Sequence, residues 1–454
     1  MKTSVPQDRR NSLTEGSVSQ QLIHLTIPMI WGVFAVIAFN LVDTFFVGQL
    51  GTKPLAAMSF TFPVVSALGS VALGLGVGAS SVIARAIGEG DRDRVQRLTT
   101  DSLGLSVVIV GVFVVLGLLT INPLFKILGA EDETLVLVKQ YMYIWYPAMI
   151  FLVIPMVGNS AIRAAGNTKI PSLIMTVAAA INIILDPILI FGWGSIPELG
   201  LKGAAIATAI SRATTLVASL WFLHFREKML CFRLPSLAVL MASWRSILFI
   251  GLPAAGTNLV TPISIGIITS LLAVYGAETV AGFGIASRVE SFALIVILAL
   301  SATIGPFVGQ NWGAGKIERI HRALNLSFLF SLAWGAFLAI ILAFFSQAIA
   351  SLFDSNPGVV RIAVLYLVLV PFSYTAWGIV IVATAAFNAL GKPLPAVIMT
   401  LTRMLILYVP IAYLGSIWFG VMGIFAAAAI ANVLVGVGAY GWVKKSCIPT
   451  EKKS

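Results

Sequence analysis

Charge is what this sequence has least of. Lysine, arginine, aspartate and glutamate together make up 10% of its 454 residues, whereas hydrophobic residues make up 59% and the mean hydropathy is +0.99. A soluble protein of this length carries charge on about a quarter of its residues. The composition therefore excludes an ordinary soluble protein, and the long apolar runs between short polar breaks predict an all-α polytopic membrane protein.

Cysteine is also scarce. The two cysteines, Cys231 and Cys447, both fall in basic segments that we predict to be cytoplasmic, so the sequence indicates no disulfide framework. The net charge of +11 does not predict a nucleic-acid partner, because an excess of basic residues in so apolar a chain follows from the positive-inside rule. The segment GAGK at 313–316 lacks the first glycine and the Ser or Thr of a phosphate-binding loop, and we interpret it as a tight cytoplasmic turn.

Apolar runs of about 20 residues, long enough to cross a bilayer as a helix, occur twelve times along the chain. No signal-peptide cleavage site follows the first run, so we expect it to be retained as a helix. The predicted spans are residues 22–47, 57–84, 98–122, 138–162, 170–192, 201–224, 245–273, 279–306, 322–346, 360–386, 395–418 and 421–443.

Lysine and arginine are distributed unevenly between the segments that join the spans. If the N-terminus is cytoplasmic, most of them fall in the inside segments, and the outside segments hold only Lys53, Lys126, Lys139, Lys202 and Arg361. Cytoplasmic loops of membrane proteins carry such an excess of positive charge. We therefore predict that both termini are cytoplasmic.

The second half of the chain repeats the first. A shift of 225 positions aligns ARAIGEGDRDRVQR with GQNWGAGKIERIHR without a gap. The same shift pairs Pro28 with Pro253, Gly51 with Gly276, Ser66 with Ser291, Gly88 with Gly313, Gly90 with Gly315, Arg94 with Arg319, Arg97 with Arg322 and Gly166 with Gly391. Because six helices form an even number, the two repeats have the same orientation and are related by an axis along the membrane normal, as in some transporters.

The predicted domain organisation follows from this duplication. The chain divides into a cytoplasmic N-terminal tail (1–21), an N-lobe of spans one to six (22–225), a cytoplasmic linker (226–244), a C-lobe of spans seven to twelve (245–443) and a cytoplasmic basic tail (444–454). In transporters built from parallel repeats, the substrate site lies at the interface of the repeats.

Two acidic residues interrupt the spans of the first repeat and have no acidic counterpart in the second. Asp43 aligns with Ile268, and Asp186 falls opposite the region 408–410. Counted from the outer ends of their helices at about 1.5 Å per residue, the two carboxylates lie at nearly the same depth in the outer half of the membrane. Asp186 is therefore the candidate partner of Asp43.

These two acids form a candidate cation site. Asn40 lies three residues before Asp43 and Asn182 lies four before Asp186, so each amide shares a helical face with its acid. Burial and mutual repulsion favour the protonated form of at least one carboxylate, so that a proton is shared near neutral pH, and a sodium ion would use the same oxygens. Acidic residues inside a membrane are functional by default, although a purely structural polar contact is the alternative. Pro187 directly after Asp186 removes a backbone donor and favours a bend.

Further polar residues lie inside the spans. Arg288 and Glu290 are two positions apart and do not face each other on a helix, so each needs another partner, and we expect structural or gating ion pairs. For Arg212 and Arg403 we expect structural roles within their lobes. Tyr141 belongs to a group of aromatic residues that fits either an interfacial belt or the lining of a cavity for flat cationic ligands.

The combined pattern resembles the multidrug and toxic compound extrusion (MATE) family over nearly the whole chain. The most specific segments are NLVDTFFVGQLG, RAAGNTKIP, NIILDPILIFG, ASRVESFA and GQNWGAGK. The resemblance implies a V-shaped pair of lobes that alternate between outward-open and inward-open forms and export lipophilic, often cationic, drugs against an inflow of H⁺ or Na⁺. We expect a monomer in the plasma (inner) membrane of a prokaryote, with neither a cofactor nor a nucleic-acid partner.

The resemblance also implies which residues bind the coupling ion. In the DNA-damage-inducible F-like branch, the first-lobe cation site maps onto Asp43, Asn182 and Asp186, which would be metal ligands only if the ion is Na⁺. The predicted supporting or substrate-lining residues are Asn40, Asn159, Thr208, Tyr141 and Pro28. The NorM-like branch has acids in helices seven and ten, where this sequence has none, so we do not expect that second ion site.

Two other functions remain open at this point. A lipid-linked oligosaccharide flippase shares the architecture, but it needs basic residues facing the central cavity, for which Arg212, Arg288 and Arg403 are the only intramembrane candidates. An intramembrane aspartyl protease also uses two membrane aspartates, but its second Asp follows Gly-x-Gly, which neither Asp43 nor Asp186 does. We therefore do not expect an enzyme.

Overall fold

The computed structural model describes residues 13–446. Residues 1–12 of the predicted N-terminal tail and residues 447–454 of the predicted basic tail, with Cys447, lie outside the described residues. Between these bounds the chain forms long helices joined by short turns. We number the membrane-spanning segments TM1 to TM12 in chain order.

The N-lobe consists of the first six segments. They are TM1 (Val18–Gln49), TM2 (Thr52–Glu89), TM3 (Arg92–Ile127), TM4 (Asp132–Ala148 followed by Ile150–Ala164), TM5 (Lys169–Phe191) and TM6 (Leu201–Trp221, extended by the π-helix Phe222–Arg226).

The C-lobe consists of the other six. They are TM7 (Leu237–Ala273), TM8 (Ala277–Ala293 followed by Ile295–Gly313), TM9 (Ile317–Ser351), TM10 (Pro357–Leu369 and Tyr374–Ala389, joined by the 3-10 turn Val370–Ser373), TM11 (Pro393–Leu401, the π-helix Thr402–Tyr408 and the start of Val409–Ser446) and TM12 (the rest of that helix).

Length and apolar composition support twelve crossings. Ten helices among the described residues are long and apolar enough to span a membrane, and the pair that forms TM4 makes an eleventh. One of the ten, Pro393–Ser446, is 54 residues long, which is twice what a bilayer requires. It is interrupted at Gly420, whose φ of 61° and ψ of −141° are not helical, so it supplies two spans.

Proline and glycine account for the breaks. TM4 bends by 40° just after Pro147, and the 3-10 turn in TM10 contains Pro371. Proline removes a helix hydrogen bond and clashes with the preceding turn, which explains both interruptions. TM5, in contrast, continues as one helix through Pro187.

The two lobes meet near one end of the bundle. Because twelve is an even number of spans, the chain starts and ends on the same side, and Val18 and Ser446 lie at the same end of the bundle. We call this end basal and the opposite end apical. In the basal half, Thr26 of TM1 shares a 3.0 Å hydrogen bond with Thr303 of TM8. The hydroxyl of Ser81 in TM2 donates to the carbonyl of Asn388 in TM10 at 2.6 Å. These contacts close the basal end, and their position agrees with the V-shaped pair of lobes that the resemblance implies.

Gln310 of TM8 ties the basal ends together. Its side chain is fully buried, accepts a hydrogen bond from the backbone of Leu13 at 3.1 Å and donates to the carbonyl of Ala164 at the end of TM4 at 2.7 Å. Asn311 donates to the carbonyl of Leu13 at 3.1 Å, and Arg319 donates to that of Gly16 at 2.6 Å. The segment before TM1 is therefore bound by the C-lobe.

Gly88 and Gly313, which occupy equivalent positions in the two repeats, lie where TM2 crosses TM8. A Cβ atom on Gly88 would collide with the carbonyl oxygen of Gln310, and one on Gly313 would collide with the carbonyl oxygen of Arg85. Small residues at such positions allow helices to approach closely in a membrane. The basal closure therefore depends on the absence of side chains at these two positions.

This contact predicts the effect of a larger residue. Gly313→Leu should separate TM2 from TM8 and shift the lobes toward a basally open form, because the leucine side chain cannot fit against Arg85. Spin labels at Asp93 and Glu318, two exposed residues at the basal ends of the lobes, would measure the shift by pulsed electron paramagnetic resonance as a longer mean distance. Gly305→Leu in the same helix is the control, because nothing lies within 4 Å of a Cβ there. An unchanged distance in Gly313→Leu would contradict the prediction.

Candidate cation-coupling site

Five side chains from four helices of the N-lobe form one polar cluster, which we call the N-lobe cluster. They are Asp43 of TM1, Tyr141 of TM4, Asn182 and Asp186 of TM5 and Arg212 of TM6. Asn182 and Asp186 have no exposed surface, and Asn182 Nδ2 donates to Asp186 Oδ1 at 3.1 Å. Their spacing of four residues on one helix makes this contact possible.

Electrostatic interactions join the other members of the cluster. Asp43 interacts with both Asp186 and Arg212, and Tyr141 interacts with all three. The Arg212 guanidinium also lies 5.8 Å from the centre of the Phe39 ring, one helical turn before Asp43. Arg212 therefore compensates Asp43, while Asp186 has Asp43 as its charged neighbour, and a bound cation would neutralise the excess negative charge of the two carboxylates.

Several buried oxygens of the cluster have no hydrogen-bond donor among residues 13–446. These atoms are Asp43 Oδ1, Asn182 Oδ1 and Asp186 Oδ2. A buried acceptor without a donor is rare in folded proteins and calls for an explanation. Carboxylate and amide oxygens are suitable ligands for a hard cation, and either carboxylate can take up a proton instead. The donor set thus fits the predicted exchange of H⁺ or Na⁺.

The structure brings together some of the predicted supporting residues and separates others. Thr208 is buried in TM6, one helical turn from Arg212 and on the same face, so it lies beside the cluster. Asn159 is buried in TM4 but follows Tyr141 by 18 residues, about 27 Å along the helix. The expectation that it lies near the cation site is therefore wrong. Pro28 is 15 residues before Asp43 on TM1, and it too lies in the basal half.

Asn40 does not join the cluster either. Its side chain is exposed and donates to the carbonyl of Val36, in its own helix, at 2.9 Å. A bond to the preceding turn satisfies the amide locally, as is usual for polar residues in transmembrane helices.

The predicted ion pairs of Arg288 and Glu290 are absent over the part of the chain that the structure describes. Glu290 accepts hydrogen bonds from the hydroxyls of Tyr366 at 2.6 Å and Tyr374 at 2.9 Å, and its nearest interacting charge is Arg403. Arg288 is exposed and has no hydrogen bond or ion pair within residues 13–446. The expectation was wrong because it assumed a charged partner for Glu290, which two tyrosines of TM10 stabilise instead.

Arg403, for which we expected a structural role, belongs to this C-lobe network. It donates to Asn432 Oδ1 at 3.1 Å and lies 4.9 Å from the centre of the Trp377 ring. Asn432 in turn donates to the hydroxyl of Ser373 at 2.9 Å. Arg403 lies in the π-helix of TM11, a geometry that is frequent at functional sites.

The duplication contains a signal for these contacts that the sequence analysis missed. Tyr141 and Tyr366 are 225 positions apart, so the same shift that aligns the repeats aligns them. Each tyrosine contacts or interacts with an acid of its own lobe, Asp43 in the first and Glu290 in the second. The C-lobe thus has a buried carboxylate after all, supplied by TM8 rather than by TM7 or TM10.

Comparison with known proteins identifies the class to which this fold and cluster belong. The MatE family model matches residues 28–188 and 253–414, two segments whose first residues are 225 positions apart. The chain belongs to the MATE family of membrane transporters.

Individual relatives cover nearly the whole chain. It is 39% identical to the "FAD transporter" of Shewanella oneidensis over 442 residues, which are 97% of this chain and 98% of that protein. It is 26% identical to the "Probable multidrug resistance protein YoeA" of Bacillus subtilis, over 89% of this chain and 90% of that one. The crystal structure of the Vibrio cholerae MATE transporter VcmN in the bent form superposes with a TM-score of 0.90 at 31% identity, covering 95% of this chain and 97% of that one.

The arginine of the N-lobe cluster predicts a stability effect. Arg212→Gln should lower the free energy of unfolding by about 3 kcal/mol, because it leaves the carboxylate of Asp43 without its compensating charge, next to Asp186. The double variant Arg212→Gln/Asp43→Asn should recover most of this loss. Unfolding in mixed micelles by added sodium dodecyl sulfate measures both values.

The control for this experiment is Arg361→Gln, which removes an exposed arginine of TM10 and should leave stability unchanged. If the double variant is no more stable than Arg212→Gln alone, Arg212 does not act by compensating Asp43.

Proposed function

We propose that this protein is a secondary active exporter that couples the inflow of H⁺ or Na⁺ to the release of a small organic molecule on the outer side of the membrane. The observation that carries the proposal is the N-lobe cluster, where two carboxylates and an amide hold three buried oxygens without donors next to a single arginine. The C-lobe has no such excess of acid, because its Glu290 accepts two hydrogen bonds.

The orientation that we propose places the basal end in the cytoplasm. Arg85 lies at that end, together with Arg94, Arg97 and their repeat partners Arg319 and Arg322, as the positive-inside rule requires. Both termini are then cytoplasmic, and the apical opening faces the outside of a prokaryotic inner membrane. The protein acts as a monomer on small molecules, without a nucleic-acid partner or an enzymatic activity.

The cycle begins in the form described above, which is open toward the outside. A cation from outside binds at Asp43 and rearranges its interactions with Asn182, Asp186 and Arg212. The cleft between the lobes then narrows and releases its substrate, with the bend taking place at Pro187 of TM5. Return to the inward-open form breaks the basal contacts at Gln310 and releases the cation to the cytoplasm.

The available driving force is sufficient for this exchange. A difference of one pH unit supplies about 1.4 kcal/mol per proton. A membrane potential of 100 mV adds about 2.3 kcal/mol for each positive charge that enters. One proton or sodium ion per cycle can therefore maintain more than a tenfold gradient of a neutral substrate.

Two substrate classes are supported by different observations. Flavin adenine dinucleotide (FAD) is favoured by the 39% identity to a FAD transporter over almost the full length of both chains. Lipophilic drugs, which the sequence analysis predicted, are favoured by the 26% identity to a multidrug resistance protein. Because this identity is the higher of the two, we take FAD as the first candidate substrate.

The first test is transport into proteoliposomes that are driven in turn by a pH gradient and by a sodium gradient, with FAD and a fluorescent cationic dye as substrates. Drive by pH alone would identify Asp43 and Asp186 as a proton switch. Drive by sodium would make the same residues a metal site, with Asn182 and Thr208 as further ligands.

Asp43→Asn should abolish gradient-driven transport while leaving a folded protein, because the amide cannot take up a proton and weakens a sodium site. Gel filtration and thermal unfolding check the fold. Asp93→Asn, which neutralises an exposed acid at the basal end, is the control and should transport normally. Undiminished transport by Asp43→Asn would refute the proposed coupling site.

A further inference from the structure

Arg288 is a charged residue in an unusual position. It is exposed, and it lies 11 residues into TM8, about 17 Å from the apical start of that helix and hence near the middle of the membrane. The structure shows neither a hydrogen bond nor an ion pair for its guanidinium among residues 13–446. An arginine without a partner at this depth is costly if it faces lipid.

The contacts of its neighbours show that Arg288 faces the cleft between the lobes. Phe292, one helical turn later on the same face, lies 6.4 Å from the Phe34 ring of TM1, in the opposite lobe. Ala281 and Gly284 continue this face toward the apical end, and a Cβ on Gly284 would meet no atom within 4 Å. The contact of the two phenylalanines thus forms a floor, and Arg288 lies just above it with open space around it.

The opposite wall of the cleft is apolar. Leu41 and Phe45 follow Phe34 on the same face of TM1, and all three side chains are exposed in spite of their size. A flat ring system can stack against such a wall, and a guanidinium across from it suits a phosphate, which arginine binds through paired hydrogen bonds.

The other two intramembrane arginines are engaged inside their lobes. Arg212 belongs to the N-lobe cluster, and Arg403 donates to Asn432. Arg288 alone of the three is therefore available to a molecule in the cleft. Its positive charge repels a cation and attracts an anion.

We propose that Arg288 is the residue that binds the phosphate of an aromatic substrate, with Phe34 and Phe292 as the surface on which the ring system rests. The substrate class is a planar aromatic ring system that carries a phosphate or diphosphate, of which FAD is an example. This inference deepens the proposed export function, on which it rests, and assigns the selectivity of the cleft to one side chain.

A flavin series tests the assignment, because flavin mononucleotide (FMN) differs from riboflavin only by a phosphate, whereas FAD adds a second phosphate and an adenosine. Binding of riboflavin, which has no phosphate, of FMN and of FAD is measured by flavin fluorescence with the purified full-length protein in nanodiscs. The wild-type protein should bind FMN and FAD more tightly than riboflavin by about tenfold or more, as expected for hydrogen bonds to a charged group. Arg288→Gln should remove this preference and leave riboflavin binding unchanged, and Arg288→Lys should keep part of it.

Two further variants control the experiment. Arg361→Gln removes another exposed arginine of the C-lobe and should keep the full preference for FAD. Phe34→Ala should weaken the binding of FMN and riboflavin by the same factor, because the two molecules have the same ring system. These two variants separate the effect of the charge at Arg288 from that of the aromatic surface.

Three results would overturn the assignment. The first is a wild-type protein that binds riboflavin as tightly as FAD, or binds neither. The second is an Arg288→Gln variant that retains the preference, and the third is one that weakens both flavins equally, which would indicate a structural role. Because binding in nanodiscs needs no ion gradient, these results are distinct from a failure of gradient-driven transport, which would refute the proposed function instead.

Discussion

The cost of placing charge in a medium without water governs this molecule. A carboxylate inside a membrane is stable only if a partner or a cation compensates it, and the N-lobe presents two carboxylates to one arginine, Arg212. Because negative charge exceeds positive charge in this cluster, binding of a proton or a metal ion should stabilise the lobe. The C-lobe shows a different arrangement, since Oε2 of Glu290 accepts hydrogen bonds from two tyrosine hydroxyls and the carboxylate interacts with Arg403.

Duplication supplied a common scaffold, and the differences between its halves carry the chemistry. Gly88 and Gly313 have the same position in the two repeats, and both allow TM2 and TM8 to approach closely where they cross. Asp43, in contrast, aligns with Ile268, which has no exposed surface and belongs to the apolar core of the C-lobe. At this position the first repeat thus has an ionisable side chain and the second repeat has a hydrocarbon side chain.

Much of this architecture could be predicted from the sequence, because the signals were strong and local. Apolar runs define the spans, and an acid within such a run is conspicuous, so Asp43 and Asp186 were found. Contacts between helices were harder to predict from the sequence than the helices themselves. The face of TM6 that carries Arg212 could not be oriented toward TM1 from its sequence, and Asn159 was assigned to the right helix but to the wrong depth. The exposure of Arg288 depends on how the lobes are arranged, which no single helix determines.

The segment before TM1 has a practical consequence for work with this protein. Leu13 and Gly16 belong to the N-terminal side of the chain, yet their carbonyl groups are bound by Asn311 and Arg319 of the C-lobe. A purification tag or fluorescent fusion at the N-terminus would be joined to the chain only twelve residues before Leu13, and a deletion that reaches this segment would remove contacts of the basal closure. Within residues 409–446 no hydrogen bond joins the last helix to the N-lobe, so an attachment after this helix should disturb the basal closure less than one before TM1.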